Sequence, residues 1–117
     1  MKNRITLLLY LLTFLGCKQE NKIDLEFLKG KWVIVEASRN TKRTNTLDGA
    51  FFFFEQNILT TNFMGSETQA NYILNKNELT LTKGLDYTFQ LEKTRDHYLL
   101  MHTKIQKADF LFKLKKE

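Results

Sequence analysis

"LDYTFQL" (Leu85 to Leu91) repeats every two residues. Tyr87, Phe89 and Leu91 fall on one side, and Asp86, Thr88 and Gln90 on the other. Only an extended chain puts alternate side chains on one face, so this period describes a strand half buried on a core. "DFLFKL" (Asp109 to Leu114) does the same, with Phe110, Phe112 and Leu114 set against Asp109, Leu111 and Lys113. Six more segments have strand character: "KWVIVEA" (Lys31 to Ala37), "AFFFFE" (Ala50 to Glu55), "ILTTNF" (Ile58 to Phe63), "TQANYIL" (Thr68 to Leu74), "ELTLT" (Glu78 to Thr82) and "HYLLMHT" (His97 to Thr103). Turn residues separate them, among them Gln56-Asn57, Gly65-Ser66, Asn75-Lys76-Asn77 and Lys83-Gly84. Most connections are of hairpin length, which makes neighbouring strands antiparallel.

The 117 residues contain no proline to interrupt a strand. "SRNTKRTNTLDG" (Ser38 to Gly49) is the one long loop. Before the strands, "DLEFLKG" (Asp24 to Gly30) reads as a helical turn, capped by Asp24 and ended by Gly30. Eight short antiparallel strands avoid open edges best by closing on themselves. The expected fold is all-β: a small eight-stranded antiparallel meander barrel over residues 24–117, with a short N-terminal helical turn.

Upstream the chain changes character. Lys2 and Arg4 form a cationic head, followed by the uncharged run "ITLLLYLLTFL" (Ile5 to Leu15), Gly16 and Cys17. Crossing about 30 Å of hydrocarbon takes roughly 20 apolar residues. This run is too short for that and fits the core of a cleaved secretory signal peptide over residues 1–16. Cys17 is the only cysteine, so it has no partner within the chain for a disulfide.

Cationic head, apolar core and Leu15-Gly16-Cys17 together resemble the lipobox of bacterial lipoproteins, with Phe14 where an aliphatic residue is usual. The resemblance implies acylation of the Cys17 sulfur, cleavage after Gly16 and acylation of the new N-terminus. It places the protein in the bacterial cell envelope, anchored to a membrane on its periplasmic or surface side. Residues 17–23 are then the lipidated cysteine and a short tether. Two or three acyl chains hold a protein on a bilayer far better than one. "FLKGKW" (Phe27 to Trp32), a helical turn followed by Gly-x-Trp at the head of the first strand, resembles the opening of lipocalins. It resembles still more the short lipocalin-like domains of bacterial lipoproteins. That resemblance implies structural roles for Gly30 and Trp32, with Trp32 packed inside against the turn that closes the barrel. Lipocalins usually stack an arginine of the last strand over this tryptophan; here the last strand offers Lys113 and Lys115, which alternate outward.

Cleavage leaves 101 residues with a formal charge of +3, too small and scattered a surplus for a nucleic-acid binder. His97 and His102, five apart on one strand, point to opposite faces and cannot share a metal. Neither Ser38 nor Ser66 lies in a nucleophile elbow, and no glycine-rich phosphate loop is present. Asp86 and Glu92 share one face of a strand, the wet one. No catalytic residue, metal or cofactor is expected, and the protein is read as a binder, not an enzyme.

Two functions remain open. An eight-stranded barrel is just wide enough for one small ligand, and the carrier reading gives it a small apolar or amphipathic one. Glu36 at the pocket mouth and Tyr72, Tyr87 and Phe89 are its candidate contacts. The alternative is a protein-interaction module, an inhibitor, immunity or assembly factor, that uses the outer barrel wall and has no cavity. Four consecutive phenylalanines, Phe51, Phe52, Phe53 and Phe54, cannot all point inward. One pair must face out beside Val33 and Val35 unless Leu25, Leu28 or the long loop covers it.

Overall fold

The computed structural model describes residues 22–117, so the segment expected to be a signal peptide, residues 1–16, and Cys17 lie outside the described residues. One helical turn, α1 (Leu25–Leu28), precedes nine strands: β1 (Gly30–Arg39), β2 (Lys42–Thr44), β3 (Phe51–Phe54), β4 (Ile58–Thr61), β5 (Thr68–Asn75), β6 (Glu78–Thr82), β7 (Thr88–Lys93), β8 (Leu99–Ile105) and β9 (Ala108–Lys116). From β3 to β9 each strand pairs with the next. β1 pairs with β3 on one side and β9 on the other, which closes an eight-stranded antiparallel barrel with β2 as an extra strand.

β2 falls inside the segment expected to be a loop. Asn40 and Thr41 both take positive φ, 50° and 68°, and make a two-residue turn that pairs Arg39 with Lys42. Turns with two left-handed residues match the twist of hairpin strands. Without a glycine in the turn or an apolar residue in Lys42–Thr44, this hairpin had no sequence signal. β7 and β8 begin later than expected, so Asp86 and His97 lie in the connections before them and not on strands.

Alternation then fills the interior. Trp32, Phe52, Phe54, Phe89 and Phe112 are at most 1% exposed. Phe52 is central: its ring centroid lies 5.2 Å from Phe63, 6.0 Å from Phe89 and 6.1 Å from Phe112. Each fully buried ring contributes about 1.5–3 kcal/mol of transfer free energy, and together these rings occupy the space a deep ligand would need. The barrel centre is a packed core.

Alternation fails once, in β1. Ile34 pairs with Leu114 and Glu36 with Lys113, so Val35 is an extra residue in a β-bulge. A bulge lets two residues of one strand oppose one of its neighbour, which shifts the facing of the residues after it. Ala37 therefore turns inward at 1% exposure, and Glu36 stands exposed on the outer wall. The expectation that Glu36 stands at the pocket mouth is corrected.

Candidate functional site

The two ends of the barrel differ. At the first, α1 lies across the opening: Asp24 Oδ1 accepts from the Phe27 N–H at 2.9 Å, and Leu28 is fully buried. The Trp32 Nε1–H donates to the Leu28 carbonyl at 2.8 Å, and the Phe27 ring sits 5.2 Å from the indole. Ile23, read as tether, belongs to this core at 2% exposure. A cation also reaches the tryptophan. Lys116 Nζ lies 5.5 Å from the Trp32 ring and donates to the Phe27 carbonyl at 3.0 Å. Lys116 falls beyond the segment read as the last strand, so the sequence pattern does not point to this contact. Gly30 makes room for it: its φ is +118°, and a Cβ there would stand 2.8 Å from Lys116 Cε.

The other end is open. A cleft of about 680 Å³ lies among the end of β1, β2 and the loop after it, the β4–β5 loop and the β8–β9 hairpin. Ala50, Phe63 and Phe112 are its buried residues; Leu47, Met64, Ile105 and Phe110 are the more exposed apolar ones. Its polar side chains include Arg39, Asp48 and Asn62. The Arg39 guanidinium lies 5.8 Å from the Phe110 ring, without a carboxylate within ion-pair distance among the described residues.

Phe63 separates the cleft from the core. Thr61 Oγ1 donates to the Phe51 carbonyl at 2.6 Å and accepts from the Phe63 N–H at 3.3 Å, while Asn62 Oδ1 accepts from the Phe51 N–H at 2.9 Å. These bonds turn the chain after β4 so that Phe63 packs on Phe52, Phe89 and Phe112. Pockets of this size with mostly apolar linings are typical of small-ligand sites.

Of the residues proposed from sequence, Tyr87 lies nearest the cleft. Its ring packs edge-on to Phe63 at 5.8 Å, and its hydroxyl donates to Met64 Sδ at 3.8 Å, so it supports the lining. Phe89 is fully buried and Tyr72 5% exposed, both within the filled core. The Tyr72 hydroxyl donates to the Glu55 carbonyl. Neither borders the cleft, and the expected deep pocket is absent from the region they occupy. Glu36 instead lines a shallow outer groove of about 270 Å³ with Leu100, Leu111 and Lys113. On β3, Phe52 and Phe54 face in; Phe51 is half-buried under Lys31 Nζ, 5.0 Å from its ring, and Phe53 is 36% exposed. Leu28 packs inside and the long loop borders the cleft, so neither covers Phe53.

Sequence reasoning missed the cleft because its lining comes from distant parts of the chain, the β2–β3 and β4–β5 loops together with residues of β1, β2, β8 and β9. The available signal was Leu47, Met64 and Ile105, three apolar residues in otherwise polar turns. Among the described residues no group of three or more His, Cys, Asp or Glu could hold a metal ion. His102 Nε2 stands 3.7 Å from Asp109 Oδ1 on the exposed wall. No protein-family model, curated protein or solved structure matches the chain. Fold and cleft together define a small closed barrel plugged in its middle and open at one end.

Proposed function

We propose that the protein is a lipid-anchored, lipocalin-like binding protein of the cell envelope. It takes a small apolar or amphipathic ligand at the mouth of the barrel, not at its centre, and works by binding, without catalysis or a cofactor. The observation that carries this reading is the apolar cleft of about 680 Å³ above the Phe63 plug. Leu47, Met64, Ile105 and Phe110 would hold an apolar body, and Arg39 and Asp48 would remain near water for a polar head.

The test is titration of the folded protein with 8-anilinonaphthalene-1-sulfonate, an apolar fluorophore with an anionic group. Ile105→Arg puts a charge into the cleft and should weaken binding at least tenfold; Ile73→Lys, at an outer-wall residue 60% exposed, should leave it unchanged. Equal binding by both variants would remove the cleft from consideration.

A second reading rests on Phe53 and Val35, 36% and 42% exposed on the outer wall near the half-buried Val33 and Phe51. Clustered apolar side chains on a surface mark contact sites, and a protein partner would cover these. Loss of partner capture by Phe53→Ser, with probe binding intact, would favour this reading over the carrier.

A further inference from the structure

The polypeptide enters the barrel at its closed end. Ile23 is buried there, and its N–H donates to Asn77 Oδ1 at 3.0 Å in the β5–β6 turn, which fixes the point where the chain from Cys17 joins the fold. Six residue steps separate Cys17 from Ile23, and at no more than about 3.6 Å each they reach about 22 Å. The ten residues of β1, rising about 3.3 Å each and tilted by about 40°, climb about 23 Å along the barrel axis. Turning the mouth toward the anchoring bilayer would ask the tether for that height, the mouth loops beyond it and the detour around the outer wall. The tether is too short for all three.

The closed end also presents a contact of its own. Leu25 of α1 is 48% exposed, next to a core that buries Leu28 completely. The acids beside it are engaged, Asp24 as the cap of the turn and Glu26 facing Lys29 Nζ at 3.9 Å. Lys22 and Lys29 flank it. An apolar side chain with lysines around it suits the level of lipid headgroups.

We infer that the closed end rests on the bilayer that holds Cys17, with Leu25 in the headgroup layer and the ligand mouth facing away. This rests on the reading of Cys17 as a lipid anchor. The ligand then reaches the cleft from the aqueous side and does not slide in directly from the anchoring bilayer.

The experiment uses the full lipidated protein in phosphatidylethanolamine–phosphatidylglycerol vesicles carrying a headgroup-linked nitroxide quencher. Bimane is attached through Glu26→Cys at the closed end or Glu67→Cys beside the mouth, both at exposed positions. Quenching should be at least threefold stronger at position 26, and Leu25→Asp should reduce it there. Equal or stronger quenching at position 67, in protein whose Cys17 is acylated by mass spectrometry, overturns the orientation and leaves the anchor standing. No effect of Leu25→Asp overturns the Leu25 contact. An unmodified Cys17 overturns the anchor and the orientation with it.

Discussion

Lys116 and Trp32 face each other across the seam between β1 and β9, where they are register partners and the ammonium lies 5.5 Å from the indole ring. The lysine caps a fully buried tryptophan and ties the last strand to the helical turn through the Phe27 carbonyl. Exposed cation–π contacts contribute about 0.5–1 kcal/mol, and a hydrogen bond about as much again. Lys116→Ala should therefore cost about 1 kcal/mol in urea unfolding. Trp32→Ala, which empties a core site, should cost about 3–5 kcal/mol. A Trp32→Ala loss below about 1 kcal/mol would contradict its packed role.

Gly30→Ala tests why the first strand opens on glycine. A left-handed φ costs an alanine about 1–2 kcal/mol. The added methyl must also displace the end of Lys116, which then loses its contacts with Trp32 and Phe27. In a Lys116→Ala background only the first cost remains. The two substitutions should fall short of additivity by up to about 1 kcal/mol, in the manner of coupled neighbours. Full additivity would show that Lys116 moves aside at no cost.

Tyr72 makes a prediction about alkaline pH. Burial raises its hydroxyl above the ordinary value of 10.0, because the phenolate loses water; a backbone hydrogen bond at Asn57 opposes the shift but is the smaller effect. A raised folded-state value means the contribution is complete below about pH 10 and is lost as pH climbs through that higher value. The stability advantage over Tyr72→Phe should be about 1 kcal/mol near pH 8. It should shrink by about pH 11, as read from paired urea titrations. An advantage that grows with pH would reverse the sign of the argument.

Phe63→Ala should remove the plug between cleft and core. Loss of a buried phenylalanine costs about 3–5 kcal/mol, so the variant needs measurement at low temperature or in stabilising salt. If it stays folded, the cleft deepens toward Phe52 and Phe89. Longer alkyl probes should then gain affinity relative to short ones. An unchanged preference for chain length would mean the surrounding rings collapse into the space.

Much of the barrel was legible because burial on one face writes itself into alternate residues. Phe89 with Leu91, and Phe112 with Leu114, are such pairs, and all four are buried. What escaped reading depends on register and on distant segments. Glu36 comes just after a bulge, and nothing in "WVIVEA" says that Val35 is the residue left over. Lys116 was missed because its role is set by Gly30 and Phe27, more than eighty residues away. The cleft is a product of closure: Arg39, Leu47, Met64 and Ile105 meet only once β1 has found β9. Helical turn and core tryptophan were readable from one short motif, since the residues that make them are neighbours in the chain.

That seam also governs how the molecule acquires its shape. Each pairing from β3 to β9 joins consecutive strands, which short turns can bring together quickly, whereas Trp32 and Lys116 are separated by almost the whole fold. Closing so long a loop is entropically costly until the intervening strands are in place. The seam should then be the slow step of folding, and until it forms β1 and β9 each offer an unpaired edge to another copy. Substitutions at the seam, Lys116→Ala among them, should lengthen the time that vulnerable open sheet persists during folding, and so lower yield, in addition to their cost to the finished barrel.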